Sequence, residues 1–516
     1  MKDDIYLAVI DAGTIGERTV IFDTKGNVVA EKYLEHPSYF PKIAWVEQDA
    51  AEWWSCVCKT AKAALKEADE KGIKKDMIIG ISVTSQRETI VPIDANANPL
   101  RKAIVWQDRR TVPQCNWIEK NIGPKVVYET TGLTIDPYFS APKIRWIMEK
   151  EPDIYNKTYK FLLVHDYLIA KFTDAFITSP DNASRTMLFD IRKRNWSEPL
   201  LTRLEIGREK MPDVHPTGEQ IGNVSAKAAA ETGFAKGTPV FCGGGDQQCS
   251  AVGAGVIRQG SVVVTTGTGT FVLAHSETPV FDPKRRILCS CHAVPGKWVL
   301  EASVFSTGSV YKWFRDQFGS LEKFVANKVG IDPYEILDSE AAASSVGSRG
   351  IIFLPHFVGA GAPYWNPHAR GVIFGLTLGH TRHDVIRSIF EGLSFEIQKN
   401  LEVMEELGIP LKEVHVSGGM TRSQIFNQIQ ADIYGVPVLR EARESTALGC
   451  ALLEGVGAGI FKSVDEAVLA TMRPAEKYQP VKENQKKYES LFEFHKRIYD
   501  ILDKSNIYET FSTQIF

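Results

Sequence analysis

Three glycine-rich turns in the chain could cradle phosphate: Asp11-Ala12-Gly13-Thr14, Thr266-Gly267-Thr268-Gly269-Thr270 and Ser417-Gly418-Gly419. Glycine lets a backbone approach a ligand closely and adopt positive φ, so successive N–H groups can converge on an anion. Singly, each is more often an ordinary turn than a ligand site, and together, in duplicated order, they are a stronger signal. Asp11 stands at the first turn, and Asp246 sits in Gly243-Gly244-Gly245-Asp246-Gln247-Gln248, a setting with little packing use for a carboxylate. Moving a phosphoryl group onto an alcohol calls for a metal to neutralise the phosphates and a carboxylate to take the hydroxyl proton. Asp11 is the candidate for holding Mg²⁺ through water, with Asp246 as a second carboxylate toward the metal. An Asx-turn accounts for Asp11 equally well. Asp246 is the candidate general base.

An alcohol bearing several hydroxyls loses water on binding and must regain its hydrogen bonds from fixed polar groups, usually beside an aromatic face. Arg87, Glu88, Trp106, Tyr138 and Gln247 supply such groups. Each also has an ordinary explanation, since neighbouring Arg and Glu pair on surfaces and Trp or Tyr fill cores. Two other modes of nucleotide binding are missing. No G-x4-G-K-[ST] occurs, and Gly253-Ala254-Gly255 and Gly455-Val456-Gly457 lack the rest of a dinucleotide fingerprint.

The elements that must carry these residues can be read from periodicity. Ile5 to Asp11, a turn at Gly13 to Gly16, and Arg18 to Asp23 predict a hairpin, with a second turn at Lys25-Gly26-Asn27. The pattern restarts at Ser261 to Thr266, turns at Gly267 to Thr270 and resumes from Phe271 to Ala274. Strands predicted at Ile78 to Val83 and at Val414 to Ser417 echo one another in the same order. We read a diverged internal duplication, against which chance likeness of strand-turn-strand pieces is the competing explanation. Unequal spacing between the matched pieces excludes a solenoid. Thr381 with Asp384 three residues on forms a capping box, and Val385, Ile386, Ile389, Phe390, Leu393, Ile397, Leu401 and Met404 predict a helix closed by Gly408 and Pro410. Another helix is expected from Thr421 to a stop at Gly435-Val436-Pro437, and the last dozen residues, lacking a stop signal, are expected to fray.

Length and composition set the frame. With 516 residues the chain exceeds one hydrophobic core, and two domains are expected, 1–253 and 254–516. A net charge of -3 with dispersed Lys and Arg gives no electrostatic support for a nucleic-acid partner. The acidic start Met1-Lys2-Asp3-Asp4 and the short apolar run behind it argue against a secretory leader. The apolar stretch Ala447 to Phe461 is too short to span a bilayer. The eight Cys, with C-x-C spacing at Cys56/Cys58 and Cys289/Cys291, read as reduced thiols rather than a zinc or redox site.

Several stretches together resemble the FGGY family of sugar and polyol kinases, and most closely its glycerol-phosphorylating branch. They are Ser85-Gln86-Arg87-Glu88-Thr89, Ile104 to Arg110, Gly132 to Ser140, Asn182 to Phe189, Gly245-Asp246-Gln247-Gln248 and Gly361-Ala362-Pro363-Tyr364-Trp365. The likeness runs nearly end to end. It implies an α/β fold of two duplicated actin-like (ribonuclease H-like) ATPase domains with a central cleft, the first carrying acceptor pocket and base, the second the nucleotide. It implies that Arg87, Glu88, Trp106, Tyr138, Asp246, Gln247 and Phe271 line the acceptor pocket, with Asp246 as the base. Thr14, Arg18, Thr268, Gly308 and Gly419 would face the nucleotide, as would Ser423 at a position commonly Asn. It further implies ATP and Mg²⁺ as cofactors, a small polyol or sugar as partner, a homodimer or homotetramer, and a cytoplasmic, membrane-free setting. The first turn departs from the family pattern at Ala12, Ile15, Gly16 and Glu17, and Gly455 to Phe461 looks more like xylulose or autoinducer-sugar kinases. The expected reaction is ATP-dependent phosphorylation of glycerol. The alternatives are xylulose, a tetritol or an autoinducer sugar as acceptor, or an actin-like nucleotide-binding protein without transfer chemistry.

Overall fold

The computed structural model describes residues 5–440, 445–473 and 476–514; the acidic start Met1 to Asp4 lies outside them. Two compact units result, neither a single run of chain. The first takes Met1–Ile257, His275–Val299 and Glu444–Met472, the second Arg258–Ala274, Leu300–Arg443 and Arg473–Phe516. Beside the sequence boundary after residue 253, the first unit therefore also holds two later segments.

In the first unit, Tyr6–Ala12 pairs antiparallel with Gly16–Asp23 and parallel with Ile78–Ser85. Val28–Glu35 extends the hairpin side, and Pro239–Phe241 and Gln220–Asn223 extend the other. Strand alternation sends Ala8, Ile10 and Ala12 into one core and Leu7 and Val9 into another, so both faces are covered. Helices Ala50–Glu70 and Val164–Thr173 supply residues to the first core. The second core is filled by Ser445–Gly457, the apolar stretch that was too short for a bilayer. That helix presses on Asp246–Gly253 so closely that a Cβ on Gly449 would lie 1.9 Å from the Cys249 carbonyl oxygen, and one on Gly253 1.9 Å from that of Ser445.

The second unit repeats the plan. Ser261–Thr266 pairs antiparallel with Thr270–Ser276 and parallel with Glu413–Ser417, which is parallel to Val438–Arg440. Hairpin, then two parallel neighbours, is the order found around Tyr6–Ala12, and this is the duplicated actin-like α/β architecture. Helix Arg382–Glu406 begins as expected, with the Thr381 N–H donating to Asp384 over 2.8 Å. The next helix starts later than its sequence suggests: Gly419–Arg422 is a short 3-10 turn, and Gln424–Tyr434 follows with Ser423 accepting from the Phe426 N–H.

The chain's end corrects an expectation. Ile507–Gln514 is a helix rather than a frayed tail, because Tyr508 is buried with its ring 5.7 Å from that of Tyr499. A single aromatic anchor leaves no periodic trace to read. All eight cysteines are free thiols, each buried except the half-buried Cys58. Among the described residues no helix is long and apolar enough to cross a membrane.

Candidate active site

The first glycine turn is held from beneath by two glutamines. Gln86, just beyond Ile78–Ser85, donates its backbone N–H to the Ala12 carbonyl over 2.8 Å and its Nε2 to Gln48 Oε1 over 3.0 Å. Gln48 Nε2 in turn donates to the Thr14 carbonyl at 2.7 Å. Asp11 and Arg18 face each other across the hairpin, and the guanidinium reaches the carboxylate at 2.5 Å while also approaching Glu31 at 3.2 Å. Asp11, Gly13, Thr14, Gly16, Arg18 and Glu31 line an open cavity of about 420 Å³. Gly16 is required there, because a Cβ would lie 2.5 Å from the Leu34 carbonyl oxygen. Glu17 points away into the protein against His36 at 3.4 Å, and burial pushes its carboxyl up to about 7.

Six of the residues singled out for an acceptor lie in this same unit: Arg87, Glu88, Trp106, Tyr138, Asp246 and Gln247. Trp106 donates its indole N–H to Thr14 Oγ1 over 2.9 Å and meets the Tyr138 ring edge-on at 5.6 Å. Glu88 accepts from Arg185 Nε over 2.6 Å, and the Arg185 guanidinium lies 5.6 Å from the centre of the Tyr138 ring. Arg87, buried, reaches Gln248 Oε1 with Nη1 at 3.3 Å and Asp246 with Nε at 3.3 Å. Thr14, Trp106, Tyr138, Arg185 and Glu88 thus form one connected series of side chains, and Arg87 with Gln248 and Asp246 forms a second that adjoins it where Arg87 precedes Glu88 in the chain.

Asp246 opens the helix Asp246–Gly253, and its side chain keeps 28% of its surface exposed. The glycines before it let the loop lie against the central sheet: a Cβ on Gly243 would fall 1.8 Å from the Val83 carbonyl oxygen. Gly245 donates its N–H to buried Asp181 over 2.6 Å. Burial pushes the Asp246 carboxyl up, the Arg87 cation opposes this, and the negative charges of Glu88 and Asp11 add to it, leaving the group at about 7. Next to it, Gln247 Oε1 is buried without a hydrogen-bond partner among the described residues, an acceptor that a bound hydroxyl could satisfy.

The remaining candidates belong to the second unit. The turn after Ser261–Thr266 is closed by the Gly267 N–H donating to the Gly269 carbonyl at 2.9 Å, and the N–H groups of Thr307 and Ser309 both donate to the Thr268 carbonyl at 3.1 Å. Gly308 starts helix Gly308–Phe318, and a Cβ there would lie 2.2 Å from the Gly267 carbonyl oxygen. Gly418, at φ +92°, crowds Thr266 from the other side, with a Cβ only 2.4 Å from its carbonyl oxygen. Gly419 is different: among the described residues a Cβ added to it would meet nothing within 4 Å. Thr268, Gly308 and Gly419 are thereby gathered at one end of the sheet, beside a helix N-terminus that favours anions. Ser423 caps the following helix, and Phe271 lies on the strand Thr270–Ser276.

Sequence reasoning gave no role to Lys143, Asp181 or Arg185. Arg185 and Asp181 lie in or beside a stretch used for the family likeness, yet a lone Arg or Asp has no spacing signal of its own. Lys143 is fully enclosed, and burial pushes its amine down to about 7. Among the described residues no group of three or more His, Cys, Asp or Glu is arranged to hold a metal.

Two family models cover the chain: the N-terminal domain of the FGGY family of carbohydrate kinases matches residues 6–253 and its C-terminal domain residues 262–458. The chain is 35% identical to a glycerol kinase of Saccharolobus islandicus (strain M.14.25 / Kamchatka #1) over 474 residues, 89% of this chain and 90% of that protein. It is 36% identical to glycerol kinase 2 of Thermotoga maritima over 473 residues, 89% of this chain and 92% of that protein. Among solved structures, xylulose kinase from Rhodospirillum rubrum is similar with a TM-score of 0.88 at 26% identity, covering 97% of this chain and 99% of that one. Plasmodium falciparum glycerol kinase with ADP is similar with a TM-score of 0.84 at 26% identity, covering 96% and 98%.

Proposed function

The chain belongs to the FGGY family of carbohydrate kinases and is an ATP-dependent phosphotransferase, and on that footing we propose that it phosphorylates a terminal hydroxyl of glycerol, giving glycerol 3-phosphate and ADP. The observation that carries this reading is the contact series of Glu88, Arg185, Tyr138 and Trp106 beside the Arg87–Asp246 pair, which sets hydroxyl-binding groups next to a carboxyl pushed up to about 7. In this reading residues 1–253 hold the acceptor and the base, and residues 254–516 hold the nucleotide through Thr268, Gly308, Gly419 and Ser423. Phe271 contributes an apolar face to the acceptor's carbon skeleton, and Thr14 and Arg18 serve the phosphates.

Asp246 accepts the proton of the attacking hydroxyl. A carboxyl pushed up to about 7 is a stronger base than an ordinary one and is about half ionised at neutral pH, which suits a group that must hold the proton only during attack. Arg87 keeps the anion accessible by opposing the effect of burial. Glu88, Trp106, Tyr138 and Gln247 orient the polyol so that the correct oxygen attacks, the positional contribution on which phosphoryl transfer depends.

For Mg²⁺ the residues present suit a loosely protein-bound ion. Asp11 and Asp246 offer two carboxylates, each already beside a guanidinium, which matches an ion that takes most of its ligands from water and phosphate oxygens. Bound there through water, it would neutralise charge on the transferred phosphate. Assembly as a homodimer or homotetramer and a cytoplasmic site of action complete the proposal. Both rest on the family resemblance, and sedimentation tests the first.

A second reading keeps the chemistry and changes the acceptor to xylulose or a related polyol, favoured by similarity to solved xylulose kinases. A panel of glycerol, xylulose, erythritol and ribulose with coupled ADP detection separates the two. The highest kcat/KM must fall on glycerol, and a tenfold preference for any other acceptor sinks the first reading.

A further inference from the structure

Two basic side chains of the first unit, Lys143 and Arg185, are completely shielded from solvent, a costly placement unless each is paired. Both converge on Glu88. That residue has φ of +64°, a left-handed conformation uncommon outside glycine that persists where the surroundings impose it. Its carbonyl accepts from Ser140 Oγ at 3.0 Å and from Lys143 Nζ at 3.4 Å. Lys143 Nζ also donates to the carbonyls of Tyr138 and Phe139, so one amine ties the Glu88 segment to the Tyr138 segment. Arg185 acts on the side chains instead. Its Nε donates to Glu88 Oε1 at 2.6 Å, its Nη1 donates to Ser290 Oγ at 3.3 Å, and the guanidinium stands 5.6 Å and 5.4 Å from the ring centres of Tyr138 and Phe139.

Resting on the acceptor reading given above, we propose that Arg185 is a positioning residue for acceptor selection: it fixes the Glu88 carboxylate and backs the Tyr138 ring, so that a polyol hydroxyl finds its acceptor already in place. A guanidinium suits this task because its planar fork sets the direction of a carboxylate as well as its charge. Arg185 acts through Glu88 and Tyr138, and Lys143 does the companion work on the main chain. The consequence is selective. A site built to hydrogen-bond a hydroxyl rejects an analogue lacking it, because the buried group is then left unpaired. Loosening Glu88 weakens that rejection.

The experiment compares wild type, Arg185→Lys and Arg185→Gln as full-length proteins, measuring kcat and KM for glycerol, 1,2-propanediol, 1,3-propanediol and ATP, with Tm alongside. Arg185→Lys keeps the charge but loses the fork. It should melt near wild type, raise the glycerol KM about tenfold, leave the ATP KM within about twofold, and narrow the preference for glycerol over the diols about fivefold. Arg185→Gln should move further in the same direction; should it fail to fold, the lysine variant decides alone by the same criteria. An Arg185→Lys protein with unchanged glycerol KM and unchanged diol preference overturns the proposal. So does a variant in which glycerol and ATP KM rise together while the diol preference stays put, since that is general loosening. Were wild type to prefer another acceptor, the substrate reading would fail separately, and deoxy analogues of that acceptor would replace the diols in the same comparison.

Discussion

Arg87 Nε lies 3.3 Å from Oδ1 of Asp246, so the cation that could bind a substrate oxygen also sets the basicity of the carboxylate beside it. Burial drives the Asp246 carboxyl toward its neutral form, Arg87 drives it back, and the balance near 7 leaves it titrating where the enzyme would work.

The pH profile follows from that balance. Asp246 is raised above the ordinary carboxylate range, so its ionised, proton-accepting form is lost as pH falls through about 7. The acceptor kcat/KM should therefore level off above about pH 7 and drop about tenfold per unit below it. Arg87→Met removes the opposing cation and should move the acid limb to higher pH. A limb left in place would show that Arg87 does not tune Asp246.

Asp246→Asn preserves shape and removes the base. Transfer should fall by about a thousandfold or more. ATP binding, followed by equilibrium titration, should stay within about twofold, because the glycine turns of the second unit are untouched. Turnover near wild type would refute the base assignment.

The parts of this site that were legible in the sequence are those with local signals. The hairpin turn at Gly13, the strand ending at Ser85 before Gln86-Arg87-Glu88, and the capping box at Thr381 each announce themselves within a few residues, and the structure has all three. What stayed hidden depends on partners distant in sequence. The apolar run from Ala447 to Phe461 reads only as too short for a bilayer, and nothing in it says that Ser445–Gly457 is a helix packed against Asp246–Gly253. Arg185 is a surface-type residue by composition, and only the fold brings it 97 positions back to Glu88. The Gln424–Tyr434 helix starts late because Gly419 and its neighbours make a tight turn, which periodicity extends straight through.

The Trp106 to Thr14 hydrogen bond of 2.9 Å ties an aromatic proposed for the acceptor pocket to the first glycine turn. Trp106→Phe keeps the ring and deletes the donor, a loss of about 1 kcal/mol for a neutral bond. If the bond orients Thr14, kcat/KM should drop about fivefold for both ATP and glycerol. A change confined to glycerol would make the bond a local contact without influence on the turn.

Gly418 and Gly419 adjoin, yet the structure gives them opposite demands. Gly418 has φ +92° and no room, with a Cβ landing 2.4 Å from the Thr266 carbonyl oxygen, while a Cβ on Gly419 meets nothing within 4 Å among the described residues. Gly418→Ala should therefore cost about 2 kcal/mol or more of stability through strain and clash, visible as a lower Tm. Gly419→Ala should leave Tm unchanged, so any effect on nucleotide binding must come from contact between the new methyl and the ligand. If Gly419 faces the phosphates, its alanine variant should raise the ATP KM about tenfold with glycerol KM unaltered. An ATP KM equal to wild type would remove Gly419 from the nucleotide site and leave its glycine without a reason in the fold.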